Sequence, residues 1–354
     1  MISQEKSEEE IYPSKMKFIR LLRMIFKDGK TFHRFLYILY LSTGLFFCHC
    51  YCEDLHRGSF FTNATLLYWK AHEDSLSFAT ESASISKLAP CAKIDNLEFE
   101  WDLGFQLGLG YHFSCDRWNL QLQFTSFQTH TDEEKKAPPG DLLFPLWQRS
   151  VAGPFFAKEA KAHWRLHLGL VDLTLSKFYE VSKIFSLTPE IGIRAGSVRK
   201  KYYLNYLGGS FSTHHSEMIH MKNKYFGVGP HIGLSGQLSL GNGFSVFAQN
   251  VLSLIFGEFY LHQDEYAGKE KLLGVHDIFP SSVAMIDICA GICWQRCFCK
   301  ALKRLKLEIA WDQLLLDSQN QLLHFTSAKA PGVFFANQGD LFVSGIEFNM
   351  RFDF

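Results

Sequence analysis

Between Leu97 and Phe113 every second residue is apolar. Leu97, Phe99, Trp101, Leu103, Phe105, Leu107, Leu109, Tyr111 and Phe113 share one parity, while Glu98, Glu100, Asp102, Gly104, Gln106, Gly108, Gly110 and His112 share the other. Extended backbone sends successive side chains to opposite faces, so the segment presents one apolar face and one charged, Gly-rich face. Two different solvents are needed, lipid on one side and a polar lumen on the other. The same spacing excludes a spanning helix here, which requires apolar runs of about 20 residues.

Period-two alternation recurs along the chain and predicts ten strands, over roughly 58–71, 97–113, 117–130, 159–177, 184–200, 222–240, 243–258, 283–297, 303–316 and 340–354. Connections alternate in length: short at 114–116, 179–183, 241–242 and 298–302, long at 72–96, 131–158, 201–221, 259–282 and 317–339. Short periplasmic turns opposite long extracellular loops mark an outer-membrane barrel, and a β-sandwich has no reason to put every long loop at one end. Pro90, Pro138, Pro139, Pro145, Pro154, Pro280 and Pro331 fall in predicted loops, where a missing N–H costs no ladder bond. Pro189 sits near a strand start, and Pro230, inside a strand, predicts a bulge or a shifted boundary. The fold class expected is all-β, a single antiparallel transmembrane β-barrel of about 10 strands within a range of 8–14.

The N-terminal region differs. Lys15, Lys17, Arg20, Arg23, Lys27, Lys30 and Arg34 precede the apolar stretch Phe35 to Phe47, the layout of a secretory signal. Cleavage after Cys52 would follow from the small residues Cys50 and Cys52. Residues 1–52 are thus read as an N-terminal extension with a signal peptide, and 53–354 as the barrel exported to a bacterial outer membrane. The acidic residues Glu5, Glu8, Glu9 and Glu10 are unusual ahead of a signal and suggest an over-long start.

At the other terminus Ile346, Phe348, Met350, Phe352 and Phe354 alternate with Glu347, Asn349, Arg351 and Asp353. An apolar comb ending in an aromatic residue resembles the assembly signal of outer-membrane barrels, an edge strand offered to the assembly machinery before closure. Phe348, Met350, Phe352 and Phe354 are its candidate residues.

Several stretches resemble the pore-forming major outer-membrane protein family first described in Legionella, with similar proteins in environmental chlamydiae. They are Leu66 to Ala71, reading LLYWKA; Glu100 to Tyr111, reading EWDLGFQLGLGY; Asp172 to Leu175; Tyr225 to Gly233, reading YFGVGPHIG; and the ending Arg351 to Phe354. The resemblance implies an outer-membrane location and a porin-like role, and it brings no catalytic residues.

Parity assigns candidates to the lumen: Glu98, Glu100 and Asp102; Lys161, His163, Arg165 and His167; Glu190 and Arg194; Glu347, Arg351 and Asp353. Such groups either form charged rings that select solutes by sign or fill a narrow lumen as compensated pairs. Strand number bears on the choice, because about 8 strands enclose little beyond side chains and 16 to 18 leave a channel. Aromatic residues Tyr68, Trp69, Trp101, Tyr111, Trp118, Trp164 and Trp311 are expected in interfacial girdles.

With 36 basic and 36 acidic residues the chain carries no footprint of a nucleic-acid binder. Among its nine cysteines, Cys115, Cys297 and Cys299 map to periplasmic turns and are disulfide candidates, while Cys289 and Cys293 point to the lumen. Cross-linking to the barrel itself or to envelope proteins is the expectation; local pairing or reduced thiols is the alternative. His214, His215, His220 and Glu217 share a predicted loop without spacing that selects a catalytic or metal constellation. No enzyme activity, cofactor or metal is therefore expected. Partners expected are outer-membrane lipids and the assembly machinery, with further copies of the chain left open. The leading function is porin-like diffusion of small solutes with a part in envelope integrity. A closed structural or adhesive surface barrel is the alternative, and an outer-membrane hydrolase the third.

Overall fold

The computed structural model describes residues 58–82, 93–114, 117–147, 156–210, 216–298, 303–325 and 333–354. The proposed signal region, His214, His215, Cys115 and Cys299 lie outside them. Ten long strands form the wall: β1 (Ser59–Glu73), β2 (Trp101–His112), β3 (Trp118–Lys136), β4 (Glu159–Lys177), β5 (Phe185–Leu207), β6 (Glu217–Gly241), β7 (Phe244–Ala267), β8 (Glu270–Phe298), β9 (Lys303–Asn320) and β10 (Gly339–Asp353). Each pairs with its sequence neighbours, and β10 pairs antiparallel with β1, from Phe61 opposite Asp353 to Glu73 opposite Leu341. The sheet is therefore a closed barrel, and closure removes the exposed edges an open sheet would carry.

Ten strands about 4.8 Å apart and tilted about 40° enclose a backbone cylinder of radius about 10 Å. Inward side chains must be accommodated within it. On β2 three inward positions are glycine for that reason: a Cβ on Gly110 would lie 2.1 Å from the Phe61 ring, and one on Gly108 would lie 2.0 Å from Asn63 Oδ1. Tight turns fix the register. Gly241, Asn242 and Gly243, all at positive φ, close β6 onto β7.

Several strands extend farther than the alternation predicts. The loop expected over 259–282 is instead a continuous hairpin, with β7 and β8 paired up to Ala267 opposite Glu270 and turned at Gly268 (φ 61°). Pro280 consequently sits in the ladder opposite Glu258. Pro230 pairs with Ile193 of β5 without a register shift, so the predicted bulge is absent and the boundary stands. Extracellular connections carry short strands of their own, Ala79–Ser82 between Lys93–Asp95 and Leu142–Pro145 in one small sheet, and Leu323–Phe325 with Phe334–Ala336 in another.

The outer surface carries the membrane signature. Leu103, Phe105, Leu107 and Leu109 of β2, Leu120, Leu122 and Phe124 of β3, and Phe348 and Met350 of β10 are all exposed on the wall. Aromatic rings bound this band. Tyr68 stacks on Trp101 at 5.3 Å with Trp311 at 6.2 Å from Trp101, and at the other end Tyr111 lies 4.9 Å from Phe60 and 5.3 Å from Phe113. The rise from Trp101 to Tyr111 is about 25 Å, the height of an outer-membrane apolar band. Trp69 and Trp164, expected in the girdles, are instead buried in the interior.

Candidate functional site, the barrel lumen

Inward side chains divide into two halves. Toward the periplasmic end they are polar. At the mouth, Arg351 donates to Asp353 Oδ1 at 2.8 Å and to His112 Nε2 at 2.6 Å, and its guanidinium lies 3.6 Å from the Phe61 ring centroid. Arg304 reaches Asp353 at 3.4 Å. Above them Asn349 donates to Glu308 at 2.6 Å, and Gln123 donates to Gln106 at 3.1 Å. Cys289 donates to Glu347 at 3.2 Å, and Gln249 donates to Glu190 at 3.0 Å.

At mid-height a network crosses the lumen. Arg194 of β5 grips Asp172 of β4 through two hydrogen bonds of 2.6 and 3.1 Å and reaches Asp287 of β8 at 3.5 Å. Asp312 of β9 is buried beside Asp287. Such a bidentate pair is strong, and burial is tolerable only because charge meets charge. A cavity of about 20 Å³ adjoins it, lined in part by Gln106, Gln123 and Thr125. That is room for about one water.

The extracellular half is mostly apolar. Leu67, Trp69, Phe127, Leu166, Val198, Tyr225, Ile255, Phe259 and Met285 pack from the wall into one cluster with loop residues Leu76, Phe78, Leu143 and Trp147. Strand tyrosines bind the loops, Tyr202 donating to the Leu76 carbonyl and Tyr206 to the Phe78 carbonyl, each at 2.7 Å. Within this layer lies the ion pair of Lys200 with Glu73, to which Trp164 Nε1 also donates at 2.8 Å. Asn223 donates to the Gln319 carbonyl at 3.0 Å beside it. His324, in the short strand after β9, lies against Trp147 at 5.5 Å, and burial there holds its imidazole pKa below the ordinary value.

Asp102, Glu190, Arg194, Glu347, Arg351 and Asp353 face the lumen. Six other lumen candidates do not, and the cause is physical. Leu97 and Phe99 are buried in the interior, Phe99 at 5.1 Å from Trp164, so Glu98 and Glu100 point outward. An irregular step before Trp101, where β2 begins, then exchanges the faces. On β4, Ala160, Ala162, Trp164, Leu166 and Leu168 fill the interior, so Lys161, His163 and Arg165, with His167, lie on the outer wall. There Lys161 pairs with Glu134 at 3.1 Å and His163 with Asp132. The polarity rule for lipid-facing wall fails where a strand rises out of the bilayer.

Glu73, Asp172, Lys200, Asp287 and Asp312 also face the lumen, beyond the residues that alternation points to. Lys200 shares the parity of Glu190 and Arg194, a signal masked by the run Arg199, Lys200, Lys201. Cys289 and Cys293 are inward thiols, and among the described residues no disulfide is formed. Cys297 lies within β8 rather than in a turn. Glu217 and His220 belong to β6, Glu217 inward and His220 outward, so they do not converge.

The sequence profile of the family described as Legionella pneumophila major outer membrane protein precursor matches residues 56–354, and the chain belongs to that family. No curated protein matches the chain. Solved structures similar to it include the outer membrane protease OmpT of Escherichia coli, at 10% identity and TM-score 0.38, covering 84% of this chain and 96% of that one. The toluene transporter TodX of Pseudomonas putida aligns at 9% identity and TM-score 0.30 over 83% of this chain and 89% of its own. A FadL homologue of Pseudomonas aeruginosa aligns at 8% identity and TM-score 0.28, covering 84% and 90%.

Proposed function

We propose that this outer-membrane family member is a sealed barrel whose role is structural, a rigid wall element of the envelope presenting its loops at the cell surface. The observation that carries this reading is the filled lumen. The Arg194 network closes it at mid-height, and the cluster from Trp69 to Trp147 closes the half above. A radius of about 10 Å leaves little space once Trp, Tyr and Arg side chains project inward. Recording from the purified, folded protein in a planar bilayer tests it. The expected trace is flat, and steady single-channel steps would overturn the sealed reading.

A second reading, porin-like passage of small solutes, draws support from the polar periplasmic half of the lumen, where His112, Arg304, Glu308, Asn349 and Arg351 line the mouth. It requires the loop-borne part of the closure, including Phe78 and Trp147, to leave the mouth. Steady conductance that rises when residues 137–158 are deleted would favour it. We assign no catalytic residue. Adhesion belongs with the sealed reading and would be supported by cell binding that disappears in the same deletion variant.

A further inference from the structure

On the outer wall, strand pairing places cations side by side. The register sets His167 of β4 opposite Arg199 of β5, and Arg199 opposite Lys224 of β6. One step toward the extracellular end, Arg165 lies opposite Lys201, and Lys201 opposite Lys222. His130 of β3 and His262 of β7 flank that second row. Five permanent cations and one imidazole thus occupy a lattice of three strands by two rows, about 4.8 Å apart across strands and about 6.7 Å along them. Arg165, Arg199, Lys201 and Lys224 are exposed and Lys222 half-buried.

Like charges directly opposite one another on a sheet destabilise it. Among the described residues none of these five forms an ion pair, and the carboxylates nearby have partners of their own. Asp132 holds His163, Asp264 holds Lys271 at 2.7 Å and His262 at 3.0 Å, and Glu258 accepts from Tyr260 at 2.8 Å. Immediately toward the periplasm the same strands turn apolar on the same face, with Val171 and Leu173 on β4, Ile191 and Ile193 on β5, and Phe226 and Val228 on β6 all exposed. A ligand that satisfies this face must be anionic at one end and oily at the other.

We propose that this face of β4, β5 and β6 is a binding site for a phosphorylated lipid of the outer leaflet, its phosphates on the two cation rows and its acyl chains along the apolar wall below. Arg165 and Arg199 offer forked donors suited to phosphate oxygens, and the lysines supply charge. The site is independent of whether the lumen conducts.

The test uses the full mature barrel folded in zwitterionic detergent and loaded with diphosphoryl lipid A, with retained lipid read by native mass spectrometry. Wild-type protein is expected to retain diphosphoryl lipid A over the dephosphorylated form. Retention should weaken about fivefold for each charge removed across the series Arg165→Gln, Lys201→Gln and Lys222→Gln. The control pair Lys183→Gln and Lys269→Gln, away from the lattice, should retain it fully. Single variants with unchanged heat-modifiable migration guard against misfolding, and retention by the wild type should fall with salt in any case. Equal retention of the dephosphorylated lipid, equal weakening in the control pair, or displacement by inorganic phosphate at matching concentration would each overturn the proposal.

Discussion

The two ends of a single strand, β4, obey opposite rules. Near the periplasm Asp172 and Thr174 point in while Val171 and Leu173 point out, and near the cell surface Leu166 and Trp164 point in while Arg165 and Lys161 point out. The register with β3 and β5 does not shift between them. What changes is the surroundings. The lower part has lipid outside and polar groups within, and the upper part has water outside and loops within. Strands β5 and β6 invert at the same height, Ile193 giving way to Arg199 and Phe226 to Lys224 on the outer face. A strand can therefore be half membrane wall and half water-soluble barrel, and its polarity alone does not say which side is inside.

The contrast can be attacked from either half. The largest effect is expected in the dry upper interior, where Lys200→Ala leaves the Glu73 carboxylate buried without its cation. Such a broken pair costs about 3–5 kcal/mol, to be read as a lower urea midpoint in lipid vesicles. Next comes an exchange of rules on one face: Val171→Lys puts a charge against hydrocarbon and should cost about 2–4 kcal/mol. Arg165→Val, six residues away on the same face, should change stability by less than about 0.5 kcal/mol. A similar cost for the two would erase the distinction between the halves. In the polar half, Arg194→Ala removes charge-assisted bonds beside a cavity that water can enter, so a smaller loss of about 1.5–3 kcal/mol is expected in the same measurement.

The smallest effect is a pH response of the loops. Burial lowers the imidazole pKa of His324 in the folded protein, so the unfolded chain binds the proton more readily. Stability of the strand Leu323–Phe325 should be unaffected above the unfolded value of about 6.5 and should fall as pH drops below it. Hydrogen exchange at Leu323 to Phe325, compared at pH 7 and pH 5 after correction for intrinsic rates, reads this directly. His324→Gln should remove the difference.

Much of this architecture was legible. The alternation of Leu103 to Tyr111, the comb Phe348 to Phe354 and the rhythm of turns such as Gly241 to Gly243 led to ten strands and to the membrane address. The hairpin through Pro280 was hidden because β7 and β8 lose strict alternation beyond Glu258, where water replaces lipid. Glu190, Arg194 and Glu347 sit at bilayer height and point inward, whereas Glu98, Glu100, Lys161, His163, Arg165 and His167 sit above it and point outward.

By itself the sequence determined the strands, their number and their destination, because period-two alternation and a terminal aromatic comb are local properties of extended backbone. Only the tertiary structure decided which parity is inside at each height, and hence which side chains enter the lumen and that Arg165, Arg199, Lys201, Lys222 and Lys224 meet on the outer wall. The reason is that a strand carries its two faces wherever it goes, but what each face touches is set by the bilayer, by the loops folded into the mouth and by closure of β10 onto β1.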